Sequence, residues 1–127
     1  SYPSEQIVRQ DIDNGNCVVL CSEEKVIATM AFIEGPDPTY AEIYEGRWMT
    51  DDPYHVIHRI AVLEPGHEAA VKFLDWGFER AGSIRIDTHK DNVIMHHVLT
   101  KYGFTHCGMI LLANGDPREA YQMNKTI

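Results

Sequence analysis

The sequence lacks any long hydrophobic run. No apolar stretch approaches the roughly 18 residues that a membrane-spanning helix needs, and the chain carries no signal-peptide pattern. Internal repeats and low-complexity tracts are absent as well. We therefore expect a cytoplasmic protein that has no membrane partner.

Cysteine is also scarce, and the chain contains three: Cys17, Cys21 and Cys107. An odd number without tight ligand spacing favours neither a disulfide framework nor a zinc site. His96, His97 and His106 could add ligands, but adjacent residues on a helix point about 100° apart and cannot readily share one ion. We predict reduced cysteines that pack as small apolar side chains, and no bound metal.

Positive charge is in the minority, with 11 Lys and Arg residues against 19 Asp and Glu residues and a net charge of −8. No cluster of basic residues offers a face for a nucleic-acid backbone, so we expect no nucleic-acid partner. Any phosphate site would have to rely on local backbone dipoles. An acidic protein attracts cationic amines in preference to anions.

What remains is the composition of an ordinary globular protein, with 44% hydrophobic and 24% charged residues. We expect residues 1–127 to form a single domain. Strand-like runs at 18–20 and 26–33 flank a short polar segment and predict a hairpin. A loop then runs from Gly35 to Pro53, in or beside which lie four aromatic residues: Tyr40, Tyr44, Trp48 and Tyr54. These either cover an open side of the core or form the wall of a binding site.

The second half of the chain begins with the longest strand candidate, Tyr54 to Leu63. Both of its alternating faces are largely apolar, with His58 and Ile60 on one and Ile57 on the other, which predicts a central strand buried on both sides. From Ala69 the apolar residues follow helical spacing: Ala70, Phe73, Leu74, Phe78 and Ala81.

Ile84, Ile86 and Thr88 alternate with polar residues and predict the next strand. Asp91 or Asn92 can cap a following helix, which Gly103 ends. Its predicted inner face consists of Met95, Val98, Leu99 and Tyr102. Two further strands, 105–112 and 120–124, close the chain. The order of strands and helices predicts an α/β (α+β) protein with a mixed, mostly antiparallel sheet flanked by helices.

Three segments in this order resemble the GNAT superfamily of acetyltransferases. They are the strand–turn–helix stretch 56–74, the strand and cap at 84–92, and the segment Lys101-Tyr102-Gly103-Phe104. The likeness extends over nearly the whole chain, including residues 40–48 and Arg118 to Tyr121. It implies a GNAT-like fold that lacks the family's N-terminal strand and helix, because those elements precede a segment like Tyr2-Pro3-Ser4 in the family.

The resemblance implies an acetyl-coenzyme A site. The central strand would offer main-chain groups to the pantetheine arm at Ile60, Ala61 and Val62. The following turn and helix start would bind the pyrophosphate through Gly66, His67, Glu68, Ala69 and Ala70, and Asn92 corresponds to a further cofactor contact. The turn departs from the family pattern, because Pro65 has no N–H and Glu68 brings a negative charge where the family has glycine.

Direct acetyl transfer needs a base for the amine proton and an acid for the departing thiolate. Candidate bases are His58 on the central strand and Asp87 or His89 at the end of the next. The family's usual acid is a tyrosine, whose place is taken by Leu99, so Tyr102 is the alternative.

Three functions follow as hypotheses, the last of which is a GNAT-shaped site that accepts a different, less anionic ligand. The first is an acetyl-coenzyme A-dependent N-acetyltransferase acting on a small-molecule or peptide amine. The second is an inactive GNAT-like binding or oligomerisation domain with impaired coenzyme A binding. Without the family's first strand and helix, a sheet edge and an apolar face would be exposed. We expect a second copy of the chain or additional residues to cover them, so the protein is predicted to be a homo-oligomer.

Overall fold

A computed structural model describes residues 12–63 and 68–125. Residues 1–11 and the predicted turn residues Gly66 and His67 lie outside these ranges. The elements, in chain order, are β1 (Cys17–Ser22), β2 (Lys25–Glu34), a 3-10 helix (Pro38–Tyr40), β3 (His55–Val62), α1 (Glu68–Phe78), β4 (Ser83–Thr88), α2 (Val93–Tyr102), β5 (Thr105–Leu111) and β6 (Pro117–Asn124). Within the described ranges, no helix has the length and hydrophobicity to cross a membrane.

The strands form one sheet in the order β1-β2-β3-β4-β6-β5. Neighbours are antiparallel except β3 and β4, which are parallel because α1 connects them across one face of the sheet. The predicted hairpin is present, and its two turn residues, Glu23 and Glu24, have φ values of 50° and 67°. Positive φ at both positions matches the twist of the strands that the turn joins. The predicted fold class is confirmed.

Both helices pack on the same face and form the helix-side core. The stripe predicted for α1 is buried there, with Phe73 and Leu74 at 2% and 1% exposure. The Asn92 side chain caps α2 by accepting a hydrogen bond from the amide of Met95. Gly103 ends α2 with φ of 126°, a conformation that favours glycine.

The aromatic loop, residues 35–54, covers the opposite face and forms the loop-side core of Tyr40, Val56, Ile110 and Ala120. Tyr40 is 2% exposed, and the indole of Trp48 donates a hydrogen bond to its carbonyl. The loop also reaches the far edge of the sheet, where residues 44 and 109 exchange backbone hydrogen bonds. The expectation that aromatic residues cover the core is confirmed for Tyr40, whereas Tyr44 is 40% exposed.

Strand β3 contains a bulge at Arg59, whose φ is 57°. Opposite it, β2 advances two residues, from Thr29 to Ala31, while β3 advances three, from Ala61 back to His58. An extra residue of this kind shifts the side-chain alternation of a strand. Consequently the side chain of Ile60 packs in the helix-side core with Ile57.

The strict alternation predicted for β3 is therefore wrong beyond Arg59. Burial on both faces is also wrong for the C-terminal half, since Ala61 and Val62 are exposed. The cause is that β3 pairs with β4 at only two positions, His55 with Ile84 and the residues that follow each of them. Beyond those pairs, β3 stays paired with β2, and β4 with β6. The two strands diverge and leave an opening, the strand gap. The longest strand is β2, not β3.

Candidate active site

Two of the predicted bases meet where the strand gap begins. His58 lies on β3 and Asp87 on β4, on the loop side of the sheet, with 3.6 Å between Nδ1 of the imidazole and Oδ1 of the carboxylate. The two side chains are 16% and 8% exposed. Since the residues belong to neighbouring parallel strands, the divergence of those strands places both groups beside the opening.

The loop adds two groups to this pair. Nε2 of His58 lies 3.1 Å from Oδ2 of Asp37, and the hydroxyl of Tyr40 donates to Oδ1 of Asp87 over 2.5 Å. Asp37 also accepts hydrogen bonds from the amide and hydroxyl of Thr39, because it caps the 3-10 helix. Asp37, Tyr40, His58 and Asp87 thus form one connected network, which we call the loop-side network.

The pKa of Asp37 is lowered and the pKa of Tyr40 is raised. Burial raises the pKa of Asp37, but hydrogen bonds from His58 and Thr39 outweigh burial, so its pKa falls to about 2. Burial, with the nearby charge of Asp87, raises the pKa of Tyr40 well above its usual value. Asp37 is therefore an anion that can orient the His58 ring, while Tyr40 remains a proton donor to Asp87. Arg118 places its Nε 4.0 Å from Asp87 Oδ2 on the other side.

The lowered pKa makes Asp37 a pH-dependent source of stability. A folded-state pKa below that of the unfolded chain stabilises the fold above about pH 4, and this stabilisation is lost as the pH falls to about 2. We expect Asp37→Asn to lower the free energy of unfolding by about 2 kcal/mol at pH 6, with the difference disappearing near pH 2. Asparagine keeps the helix-capping acceptor, so the change tests charge.

Urea unfolding of the wild type and Asp37→Asn between pH 2 and pH 7 measures this difference. Asp52→Asn, at an exposed carboxylate in the following segment, is the matched control, and we expect it to change stability little at any pH. A difference for Asp37→Asn that is the same at pH 6 and pH 2 would contradict the assigned role of the charge.

The predicted cofactor residues lie along and beyond the strand gap. Ile60, Ala61 and Val62 form the β3 side of the opening, and no residue of β3 after Val56 pairs with β4 in the described structure. Glu68 is the exposed first residue of α1, and the side chains of Ala69 and Ala70 are 7% and 6% exposed beneath it. Only five residues separate β3 from α1, so the start of that helix lies near the end of β3.

Two other candidates lie outside the loop-side network. His89 is half exposed just after β4, with its Nδ1 3.6 Å from Asp91 Oδ2. Tyr102 donates its hydroxyl to Asp75 of α1 over 2.6 Å, and burial together with that carboxylate raises its pKa. The position of the family's tyrosine, Leu99, is fully buried in the helix-side core.

Sequence reasoning missed Asp37 and Arg85 as site residues, whereas Tyr40 was among the aromatic residues offered as the wall of a binding site. The sequence Gly35-Pro36-Asp37-Pro38 by itself indicates only the start of a loop after a strand. An aspartate before a proline that begins a helical turn is, however, a capping signal that would have fixed the carboxylate in space. Arg85 reads as an outward polar residue of β4, yet it is 4% exposed because the loop covers it.

The described residues contain neither a metal-binding cluster nor a disulfide. Among residues 12–63 and 68–125, no group of three His, Cys, Asp or Glu side chains has the geometry to hold a metal ion. The three cysteines are free thiols, of which Cys107 is buried and burial raises its pKa.

The chain is similar in sequence and fold to solved structures of acetyltransferases. No protein-family model matches the chain, and no curated protein sequence matches it. Among solved structures, a GNAT-family acetyltransferase from Streptococcus agalactiae 2603 is similar, with 36% identity and a TM-score of 0.89 over 99% of this chain and 75% of that one. A GNAT-family acetyltransferase from Bacillus cereus ATCC 10987 has 18% identity and a TM-score of 0.67, with coverages of 96% and 79%. The NatC complex bound to Gag peptide and CoA has 15% identity and a TM-score of 0.70, with coverages of 99% and 83%.

Proposed function

Because the chain belongs to the GNAT family of acetyltransferases, we propose that it moves an acetyl group from acetyl-coenzyme A to a primary amine by direct transfer. The observation that carries this proposal is the strand gap, with His58 and Asp87 together at the point where β3 and β4 separate. The acceptor is a small-molecule or peptide amine. The structurally similar NatC complex has CoA and a Gag peptide bound, which supports a coenzyme A donor and a peptide amine as one type of acceptor.

The strand gap fits an extended acyl carrier because Ile60, Ala61 and Val62 of β3 do not pair with β4. Ile60, Ala61 and Val62 would hold the pantetheine arm as an added strand, and the first N–H groups of α1 would face the pyrophosphate. A cleft of about 300 Å³ between the two helices, lined by Val71, Lys101 and neighbouring residues of α2, would take the nucleotide end. When bound, acetyl-coenzyme A supplies the acetyl group as a thioester.

The chain's own residues would move the proton. Asp37 holds the His58 ring through Nε2, and Nδ1 lies 3.6 Å from Asp87 at the start of the strand gap. There Nδ1 would accept a proton from the attacking amine and give it to the coenzyme A thiolate as the carbon–sulfur bond breaks. The carboxylate of Asp87, held by Tyr40 and Arg118, stabilises the positive charge that forms on the imidazole. Proximity of amine and acyl group in the gap supplies much of the remaining rate enhancement.

We also propose a homo-oligomer in the cytoplasm. The edge strand β1 and its hairpin partner expose Val19 and Val26, at 49% and 46%, near an exposed Leu63 at 78%. Exposed apolar side chains near an edge strand, which β1 is among the described strands, favour association with another chain. Sedimentation velocity at several protein concentrations tests this proposal, which a monomer at all concentrations would contradict.

Glu68 provides the test of coenzyme binding. Its carboxylate lies at the start of α1, where the pyrophosphate would bind, and like charges repel most strongly at low salt. We expect acetyl-coenzyme A to bind the wild type, and Glu68→Gln to bind it about tenfold more tightly. Glu68→Gly, which also restores close backbone approach, is expected to gain at least as much.

Calorimetric titration of acetyl-coenzyme A measures these affinities. Glu79→Gln is the matched control because it removes the same charge at the opposite end of α1, where Glu79 faces Arg80. We expect its affinity to stay near that of the wild type. Absence of binding by all four proteins would overturn the enzyme proposal and favour the binding or oligomerisation domain. Equal gains from the Glu68 and Glu79 variants would show a general charge effect.

A further inference from the structure

A second cleft, of about 430 Å³, opens on the loop side of the sheet next to the loop-side network. Its walls include Asp37, Tyr40, Trp48, Asp51, Tyr54 and Arg85. Asp37 belongs to both the cleft and the network, because its carboxylate contacts His58. The carboxylate and aromatic walls suit a compact organic cation at one end, and a single cationic side chain lines the other.

That cation, Arg85, forms no ion pair with a carboxylate in the described part of the chain. Its side chain is 4% exposed, and its Cζ lies 4.1 Å and 4.0 Å from the ring centroids of Trp48 and Tyr54. Nη2 donates to the carbonyl of Thr50 over 2.8 Å. Nε is buried and has no hydrogen-bond acceptor within the described part of the chain. Aromatic faces attract the charge but accept no conventional hydrogen bond in the guanidinium plane.

A buried cation in this state is costly unless a carboxylate or similar anion pairs with it. No ion pair joins Arg85 to any carboxylate among residues 12–63 and 68–125. Burial lowers the pKa of Arg85, and the nearby charge of Asp51 opposes that lowering. Guanidinium groups bind planar carboxylates through two parallel hydrogen bonds. A doubly charged phosphate is less suitable, because Asp37 and Asp51 lie in the same cleft and would repel it more strongly.

We propose that this cleft binds the acceptor and that the acceptor carries a carboxylate, bound by Arg85, in addition to its amine. Arg85 and Asp87 are two residues apart on the same face of β4, a separation of about 7 Å along a strand. Asp37 and Arg85 line the same cleft, so an amine held at Asp37 and a carboxylate held at Arg85 describe an amino acid or a similarly small amino acid analogue. The inference rests on the proposed function, since it names the substrate class of the same site.

The test compares matched probes that differ only in the carboxylate. Chemical-shift titration of the wild-type protein with L-phenylalanine, L-phenylalaninamide and phenethylamine measures binding, and L-lysine against cadaverine forms a second pair. We expect each carboxylate-bearing probe to bind about 10- to 100-fold more tightly than its partner. Acetyl transfer to the same probes should show the same preference in kcat/KM.

Arg85→Gln should abolish the preference, and Arg85→Lys should retain part of it because the charge remains. Arg80→Gln is the matched control, since Arg80 also stacks on a tryptophan, Trp76 at 3.9 Å, but far from the cleft. The wild-type comparison needs no variant and stands even if an Arg85 variant does not fold.

Equal binding of acid and amide, tighter binding of O-phosphoethanolamine than of the amino acids, or no binding of any probe at about 10 mM would overturn the inference. Arg85 would then serve only to anchor the loop through Thr50. These results leave the proposed function intact if acetyl-coenzyme A still binds. The proposed function is tested separately by the titration with acetyl-coenzyme A, and absence of binding there would contradict it.

Discussion

Replacement of His58 by glutamine is expected to lower the rate of acetyl transfer by about 10²- to 10⁴-fold, the usual contribution of a positioned general base. Glutamine keeps a polar group between Asp37 and Asp87 but cannot take up a proton. The effect should fall on kcat, because in the proposed mechanism His58 faces the reacting groups at the start of the strand gap, whereas the proposed coenzyme contacts lie farther along β3. Release of free thiol at saturating acetyl-coenzyme A measures the rate.

His106→Gln is the matched control, since His106 is half exposed on β5 and pairs with Glu119. We expect it to retain nearly full activity. Equal melting temperatures and acetyl-coenzyme A affinities of the wild type and His58→Gln would separate a loss of chemistry from a loss of fold. If His58→Gln keeps most of its activity, His58 is not the general base. If His89→Gln also loses activity, His89, just after β4, is the base instead.

Gly46→Ala is expected to lower the free energy of unfolding by about 3 kcal/mol, the upper part of the range for overpacking. A methyl group at this position would lie 1.9 Å from the carbonyl oxygen of Cys107, which belongs to the backbone of β5 and cannot rotate away. That same carbonyl accepts a hydrogen bond from the amide of Arg47, and Gly108 lies against Tyr44 next to it. The loop must therefore detach from β5.

Thermal unfolding should show a fall in melting temperature of about 10 °C for Gly46→Ala. Gly82→Ala is the matched control, because a methyl group there meets no atom within 4 Å. It should change stability by less than about 0.5 kcal/mol. If the two variants melt together, the loop does not depend on its contact with β5.

Much of the fold was predictable because periodicity reports directly on burial. The alternation at Ile84 and Ile86 and the helical stripe through Phe73 and Leu74 mark side chains that lie in the helix-side core. The glycine after α2 has a positive φ, as its place at the end of a helix anticipates, whereas Glu23 and Glu24 have positive φ in the first turn without the glycine or asparagine that usually signals it. By contrast, β6 begins at Pro117, three residues before the prediction, because a proline is tolerated at the first residue of a strand, where it pairs with Leu111 of β5.

The candidate site was predictable only by residue type. His58 and Asp87 could be named as bases, but their proximity depends on the parallel pairing of β3 with β4 across an intervening helix. The orienting role of Asp37 depends on a long loop folding back over the sheet. The bulge at Arg59 has no sequence signal, because such a conformation usually requires glycine and here an arginine adopts it.

The left-handed backbone of Arg59 has a consequence for how the strand gap works. A non-glycine residue in this conformation costs about 1 to 2 kcal/mol, and such a conformation persists only where its surroundings enforce it. Here β2 pairs on one side of the bulge, while Ile57 and Ile60 are packed in the same core on either side of it. The β3 edge of the opening is consequently held in its shape by the fold itself, before any ligand binds. An extended ligand would find its binding edge already in place and would lose little affinity to rearrangement of the protein.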